Sequence, residues 1–261
     1  MGLPGCLRDL YAHIFPAAHR REIISSGAHP DVIIALLKNS LAPCERFAFV
    51  FHVSALALVA LIIVFKERMG KWFGIYSGLN LILIAFAQSF GETEEFGSVI
   101  HTGGLAGFVI LGILWLRAAA RGEIQTRFRG IGWQHALLLP FAVLAYWAPY
   151  KLEGEAVRAY FHPLLLLTSV DFGLAFCFTA PVLLYLLTFF YPHVPMFAYR
   201  MTAFNGLLYA LFNLSYWLDP RTRWMGVLHL PLLVISVYAL AQTAGRRQRS
   251  DSSSGLRSGP D

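Results

Sequence analysis

Charge is what this chain has least of. Only 14% of its 261 residues are Asp, Glu, Lys or Arg, against about a quarter in ordinary soluble domains. The shortage is concentrated. Seven windows, Phe47–Phe65, Trp72–Phe90, Phe96–Leu116, Ile131–Pro149, Phe172–Tyr191, Met201–Leu218 and Trp224–Thr243, contain none of the four. Cysteine is nearly absent too. Cys6, Cys44 and Cys177 form no Cys-x-x-Cys pair, which excludes a thiolate metal knuckle and a disulfide framework. His-x-x-His and Glu-x-x-His, the patterns of di-metal helical bundles, are also missing. No charged leader followed by a short apolar core opens the sequence, so Phe47–Phe65 is expected to stay in the membrane as a first helix.

What is present is apolar: 57% of the residues are hydrophobic and 15% aromatic. A bilayer core takes about 20 apolar residues per helix, and seven such windows predict an all-α polytopic bundle of about seven transmembrane spans. Three regions follow. Residues 1–45 carry the short run Pro30–Leu41, read as an interfacial helix beside the bilayer. Residues 46–243 form the bundle, and 244–261 read as a disordered polar tail. Either Pro30–Leu41 or Tyr160–Val170 could supply an eighth membrane element.

The net charge of +6 would point to nucleic acid in a soluble protein. Here Lys and Arg gather in loops, as membrane orientation requires, and no nucleic-acid partner is expected. Lys66, Arg68 and Lys71 mark the first loop; Arg117, Arg121, Arg127 and Arg129 mark the third; Arg246, Arg247 and Arg249 open the tail. With seven spans all of these face the cytoplasm, as does the C-terminus. Glu92, Glu94 and Glu95 then face outward, together with Glu153, Glu155, Asp171 and Asp219. The N-terminal segment, with Arg8, Arg20, Arg21 and Lys38 and with Arg46 directly after it, opposes this orientation without reversing it.

Three sets of residues could carry function. His52, His101 and His229 each lie about five residues into a window entered from the outer side, hence about 8 Å deep. Three imidazoles at one level could hold a divalent metal or relay protons, and two could ligate haem. Histidine also serves as hydrogen-bonding glue between membrane helices, and no bound cofactor at all is the simpler expectation. His135, His162 and His193 are read as interfacial or loop residues. Asn80 and Gln88, and likewise Asn205 and Asn213, are spaced by eight. That spacing leaves each pair about 80° apart on one broad face, lining a solute path or bonding between helices. Gly103 and Gly107 form a Gly-x-x-x-Gly pair, the mark of close helix approach. Pro140, Pro181 and Pro231 should bend their helices. Trp72, Trp115, Trp147, Trp217 and Trp224 should anchor at the interfaces.

The passage Arg127-Phe-Arg-Gly-Ile-Gly-Trp, the fifth-window run Phe176-Cys-Phe-Thr-Ala-Pro and the acidic Asp219 before the last window together resemble a family of uncharacterised seven-span prokaryotic integral membrane proteins. The resemblance covers residues 46–243. It implies a plasma-membrane bundle and brings no activity with it, and it departs from the pattern in that no proline follows Cys177. The leading functional expectation is therefore non-enzymatic: an accessory subunit, or a protein that binds or passes a small solute or ion, with the bilayer and other membrane subunits or a second copy as partners. The alternative is a redox or metal-dependent protein built on His52, His101 and His229.

Overall fold

The computed structural model describes residues 47–93, 97–128, 130–153 and 156–255. The interfacial helix expected over Pro30–Leu41 lies outside them. The described chain is mostly helical: α1 (Ala48–Phe65), α2 (Gly70–Ser89), α3 (Thr102–Ala120), α4 (Trp133–Trp147), the four-residue α5 (Leu165–Thr168), α6 (Phe176–Phe190), α7 (Met196–Phe212) and α8 (Arg223–Gly255). Three stretches, Ala48–Ser89, Thr102–Ala120 and Arg223–Ala244, are long and apolar enough to cross a membrane. Hydrocarbon is also what the surface requires. Phe49, Val53, Ile63, Val64 and Phe65 of α1 are all about half exposed or more, and water would not tolerate so continuous an apolar face.

The first of these stretches is not a straight rod. Phe51 packs against Gly173, and Asn80 hydrogen-bonds the same residue. A continuous helix would hold Phe51 and Asn80 about 43 Å apart. The chain reverses instead at Lys66–Met69, a 3-10 turn that Lys66 enters with φ 48°.

One end of the bundle gathers the basic loops. Thr126 donates to the Lys66 carbonyl, Glu67 pairs with Arg127 at 3.6 Å, the Gln125 amide donates to His193 at 3.1 Å, and Arg200 reaches the Thr243 carbonyl at 3.0 Å. At the opposite end the His101 amide donates to Ser89 at 2.8 Å, and the Val157 amide to Arg221 at 2.9 Å. Trp224 donates to the Pro149 carbonyl there at 3.1 Å.

The helices form a ring with one at its centre. α2 packs on α3, α3 on α7, α7 on α8 and α8 on α4. α4 meets α1 through Tyr146 and His52, whose rings are 4.6 Å apart. Ser54 of α1 lies beside the Tyr76 hydroxyl of α2, closing the circuit. α6 fills the middle against α2, α4, α7 and α8. Twelve of its fifteen residues are buried, so it is hydrophobic all round because protein surrounds it on every side.

Several expectations change. The bundle is not all-α: the antiparallel pairs β1–β2 (Phe90–Thr93 with Gly97–Ile100) and β3–β4 (Tyr150–Glu153 with Ala156–Ala159) form two hairpins at the end opposite the basic loops. β2 lies within the predicted window Phe96–Leu116, so that helix starts only at Thr102. The window Phe172–Tyr191 loses its first four residues to an irregular segment. α8 runs on helically to Gly255, past the predicted start of an unstructured tail at 244. Tyr160–Val170 supplies only the single turn α5. The prolines Pro140, Pro181 and Pro231 do fall inside α4, α6 and α8.

Candidate functional site

Residues 169–175 (Ser-Val-Asp-Phe-Gly-Leu-Ala) interrupt the helical order just before α6, and most of them are buried. Irregular backbone among membrane helices survives only where its N–H and C=O groups find partners inside the protein. The Gly173 carbonyl accepts from Asn80 Nδ2 at 2.8 Å, and the Gly173 amide donates to Thr179 Oγ1 at 2.8 Å. The Phe176 amide, one of the orphan donors of the α6 N-terminus, goes to Gln88 Oε1 at 2.9 Å. His52 Nε2 meets the Ser169 carbonyl at 2.9 Å. The Leu174 and Ala175 amides fold back onto the Asp171 carbonyl at 3.2 and 2.7 Å. Glycine is required at 173, where φ is 91° and a Cβ would collide with the Phe51 ring.

Three predicted site residues, His52, Asn80 and Gln88, therefore come together on one segment. Asn80 and Gln88 reach it from a single face of α2. The Asp171 carboxylate, 2% exposed, accepts from the Tyr150 hydroxyl at 3.0 Å. The sequence reading left Asp171 in an outer loop and did not single out Thr179 or Gly173. The Asp-x-Gly pair ahead of a helix was the available signal.

The histidines do not form one site. His52 sits between Tyr146 and Phe172, with ring centroids at 4.6 and 5.0 Å. His229 is buried on α8, its Nδ1 2.7 Å from the Met225 carbonyl and its ring near Tyr216 and Phe178. His101 is exposed, precedes α3 rather than lying within it, and faces Tyr209 at 6.2 Å. All three do lie toward the end opposite the basic loops, but α1, α3 and α8 belong to separate parts of the ring. Among the described residues no group of three His, Cys, Asp or Glu side chains is placed to hold a metal ion. His135 is buried rather than interfacial, stacked on Phe189 at 4.2 Å.

The second asparagine pair divides between its own helix and a neighbour. Asn205 donates to the Met201 carbonyl one turn back at 2.9 Å. Asn213, in the 3-10 turn (Asn213–Trp217) that follows α7, points at Cys177 Sγ at 3.5 Å. The expected Gly103–Gly107 pair is not a close backbone contact: Gly103 is exposed, with His101 Nε2 the nearest atom to a Cβ there at 4.0 Å, and a Cβ on Gly107 would make only ordinary contact with Asn205 Oδ1 of α7 at 3.8 Å. Close approach occurs lower on α3. A Cβ on Gly112 would lie 2.8 Å from the Gly78 carbonyl, and one on Gly78 would lie 2.8 Å from the Gly112 carbonyl. Gly70, Gly74 and Gly78 repeat every four residues, a small-residue stripe that the sequence displays and that faces α3 and the loop behind it. Trp115 is buried at 1% exposure and donates to Thr202 Oγ1 at 3.0 Å, so it is a core residue and not an anchor.

The polar groups around 169–175 leave a remainder. His52 Nδ1, Asn80 Oδ1 and Ser169 Oγ are buried without a protein partner. The Ser169 carbonyl can only accept, so His52 Nε2 donates to it, which in a neutral ring leaves a lone pair on Nδ1. Asn80 has its amide nitrogen engaged and its oxygen open. These are the polar atoms along the segment that a species rich in donors or positive charge would satisfy. No protein-family model, curated protein or solved structure matches this chain.

Proposed function

We propose that the chain is a seven-pass protein of a prokaryotic plasma membrane, its C-terminus cytoplasmic, that works without covalent chemistry. It binds or passes a small cation or hydrogen-bond-donating solute at the irregular segment 169–175, either on its own or as an accessory subunit of a larger assembly. The seven-pass reading is supported by the alternation of loop positions: 66–70, 121–128 and 191–195 share one end, and 90–101, 149–175 and 213–222 share the other. Broken helical backbone lined by polar side chains is a feature of solute sites in membrane bundles.

The observation that carries the reading is the set of open acceptors, His52 Nδ1 and Asn80 Oδ1, with the Ser169 hydroxyl. Buried polar atoms are costly when unpaired, by about 1–3 kcal/mol each, and an occupant that donates or carries positive charge relieves that cost. The metal or haem alternative lacks a comparable support, since His52, His101 and His229 keep separate surroundings.

Thermal unfolding of the purified chain in detergent tests the reading, with sodium, potassium and ammonium titrated at constant ionic strength. A ligand at one hundred times its Kd raises stability by about 2.7 kcal/mol. At least one cation should raise the midpoint, and Ser169→Ala should weaken that shift without unfolding the protein, because the Ser169 hydroxyl supports no protein partner. A midpoint indifferent to all three cations and to small amine solutes would overturn it.

A further inference from the structure

A second polar feature lies at the outer end, away from the 169–175 segment. An open groove of about 400 Å³ runs between the β3–β4 hairpin and the corner leading into α8, lined by Val157, Arg158, Trp217, Arg223, Trp224 and Val227 among others. Both arginines are exposed. They stand at the end that membrane orientation ordinarily leaves poor in basic residues. Among the described residues the acids nearby are already engaged: Glu153 is held by Lys151 at 2.6 Å, and Asp219 by Arg221 at 2.8 Å. That pairing pulls the Glu153 and Asp219 carboxyls below their ordinary range, the hydrogen bond from the basic partner being the first cause in each case. Among those residues the Arg158 and Arg223 guanidiniums are left in excess of the paired acids.

Its surroundings are those of a bilayer interface. Trp224 is fixed by its bond to the Pro149 carbonyl and lies 5.6 Å from the Phe161 ring. Leu218 beside the groove is 85% exposed and Leu214 44%, apolar surface that only acyl chains cover without cost. Planar guanidiniums pair with phosphate oxygens through two donors each, and indoles seat at headgroup level. We infer that this groove binds an anionic phospholipid, its phosphodiester between Arg158 and Arg223 and its acyl chains along Trp217, Leu214 and Leu218.

Native mass spectrometry of the full chain, released from detergent in an equal mixture of phosphatidylglycerol and phosphatidylcholine, tests this. Phosphatidylglycerol adducts should dominate by about tenfold, given the attraction of a basic pair for anionic headgroups. The double variant Arg158→Gln, Arg223→Gln should lose that preference, while Arg121→Gln at the opposite end should keep it. Arg158→Lys with Arg223→Lys retains the charge, should retain most of the preference, and serves if the glutamine pair does not fold. Equal adducts of both lipids on the wild type, or an unchanged preference in the glutamine pair, would overturn the assignment. So would displacement of the lipid by millimolar inorganic phosphate, which would make a free anion the ligand.

Discussion

Asn80 of α2 donates from Nδ2 to the carbonyl of Gly173, 93 residues further along the chain, at 2.8 Å. Two turns on, Gln88 accepts the first amide of α6 at 2.9 Å. These two side chains tie the C-terminal half of α2 to the segment that leads into the central helix and to its first residue. Replacing Asn80 by Leu leaves the buried Gly173 carbonyl without its donor. The expected loss is about 1–2 kcal/mol, above the membrane average of roughly 0.6 kcal/mol for one interhelical bond, because the orphaned group adds its own desolvation cost. Chemical or thermal unfolding in a single detergent measures it. A variant as stable as the wild type would show that the bond contributes nothing net.

Glycine substitutions should separate the real helix contact from the one expected. Gly78→Val drives a branched side chain into the Gly112 carbonyl and should cost about 1–3 kcal/mol or prevent folding. Gly103→Ala meets only His101 Nε2 at 4.0 Å and should be neutral. Expression yield and unfolding midpoint of the two variants report the difference, and equal behaviour would contradict the packing of α2 on α3.

The reversal at Lys66–Met69 makes a prediction about sides. Single cysteines at Glu67 and Glu123 should stay protected from a membrane-impermeant maleimide in intact cells and react after permeabilisation. A cysteine at Lys151 should react at once. Labelling of Glu67→Cys and Lys151→Cys from the same side would remove the seven-pass reading.

Asp219 accepts from the backbone and the guanidinium of Arg221, at 2.8 Å in each case. Its carboxyl accordingly titrates below the ordinary 3.8 when folded, the Arg221 side chain being the first cause and its backbone amide the second. A lowered folded value means that the group binds protons less readily in the native state. Its contribution is then complete above about pH 4 and fades as pH falls below that through the lowered value. The midpoint difference between wild type and Asp219→Asn should be small at pH 6, as befits an exposed pair, and should shrink as pH falls below about 4. A difference that does not shrink on acidification would mean that the side chain acts other than through its charge.

Legibility in the sequence was uneven, for physical reasons. The windows around α1, α2 and α4 match their helices closely, and α8 starts where its window does, because a run without charge at bilayer length leaves the backbone no other economical state. The window Phe172–Tyr191 was placed too early. Val170, Phe172 and Leu174 are as apolar as a helix, and hydropathy says nothing of the turn that Gly173 makes at positive φ. Strands β1 and β2 were missed because Phe90 and Val99 are equally at home in either structure. Of the polar residues, Asn80 and Gln88 were found with the correct shared face. Asn205 and Asn213 have the same spacing, yet one folds back on its own helix and the other meets a thiol. Spacing fixes relative direction along one helix and leaves the neighbour unnamed.

The amino-acid order alone settled the solvent of this protein: charge is expelled from segments of bilayer length, and the basic loops share an end. A common level for His52, His101 and His229 was expected from counting residues along each window. Which helices stand beside one another was decided only by tertiary packing, where the glycines of α2 admit α3 and the mostly apolar α6 takes the centre. That choice gave the three histidines three separate contacts, and it gathered Asn80, Gln88 and His52 around a segment that none of their own helices contains.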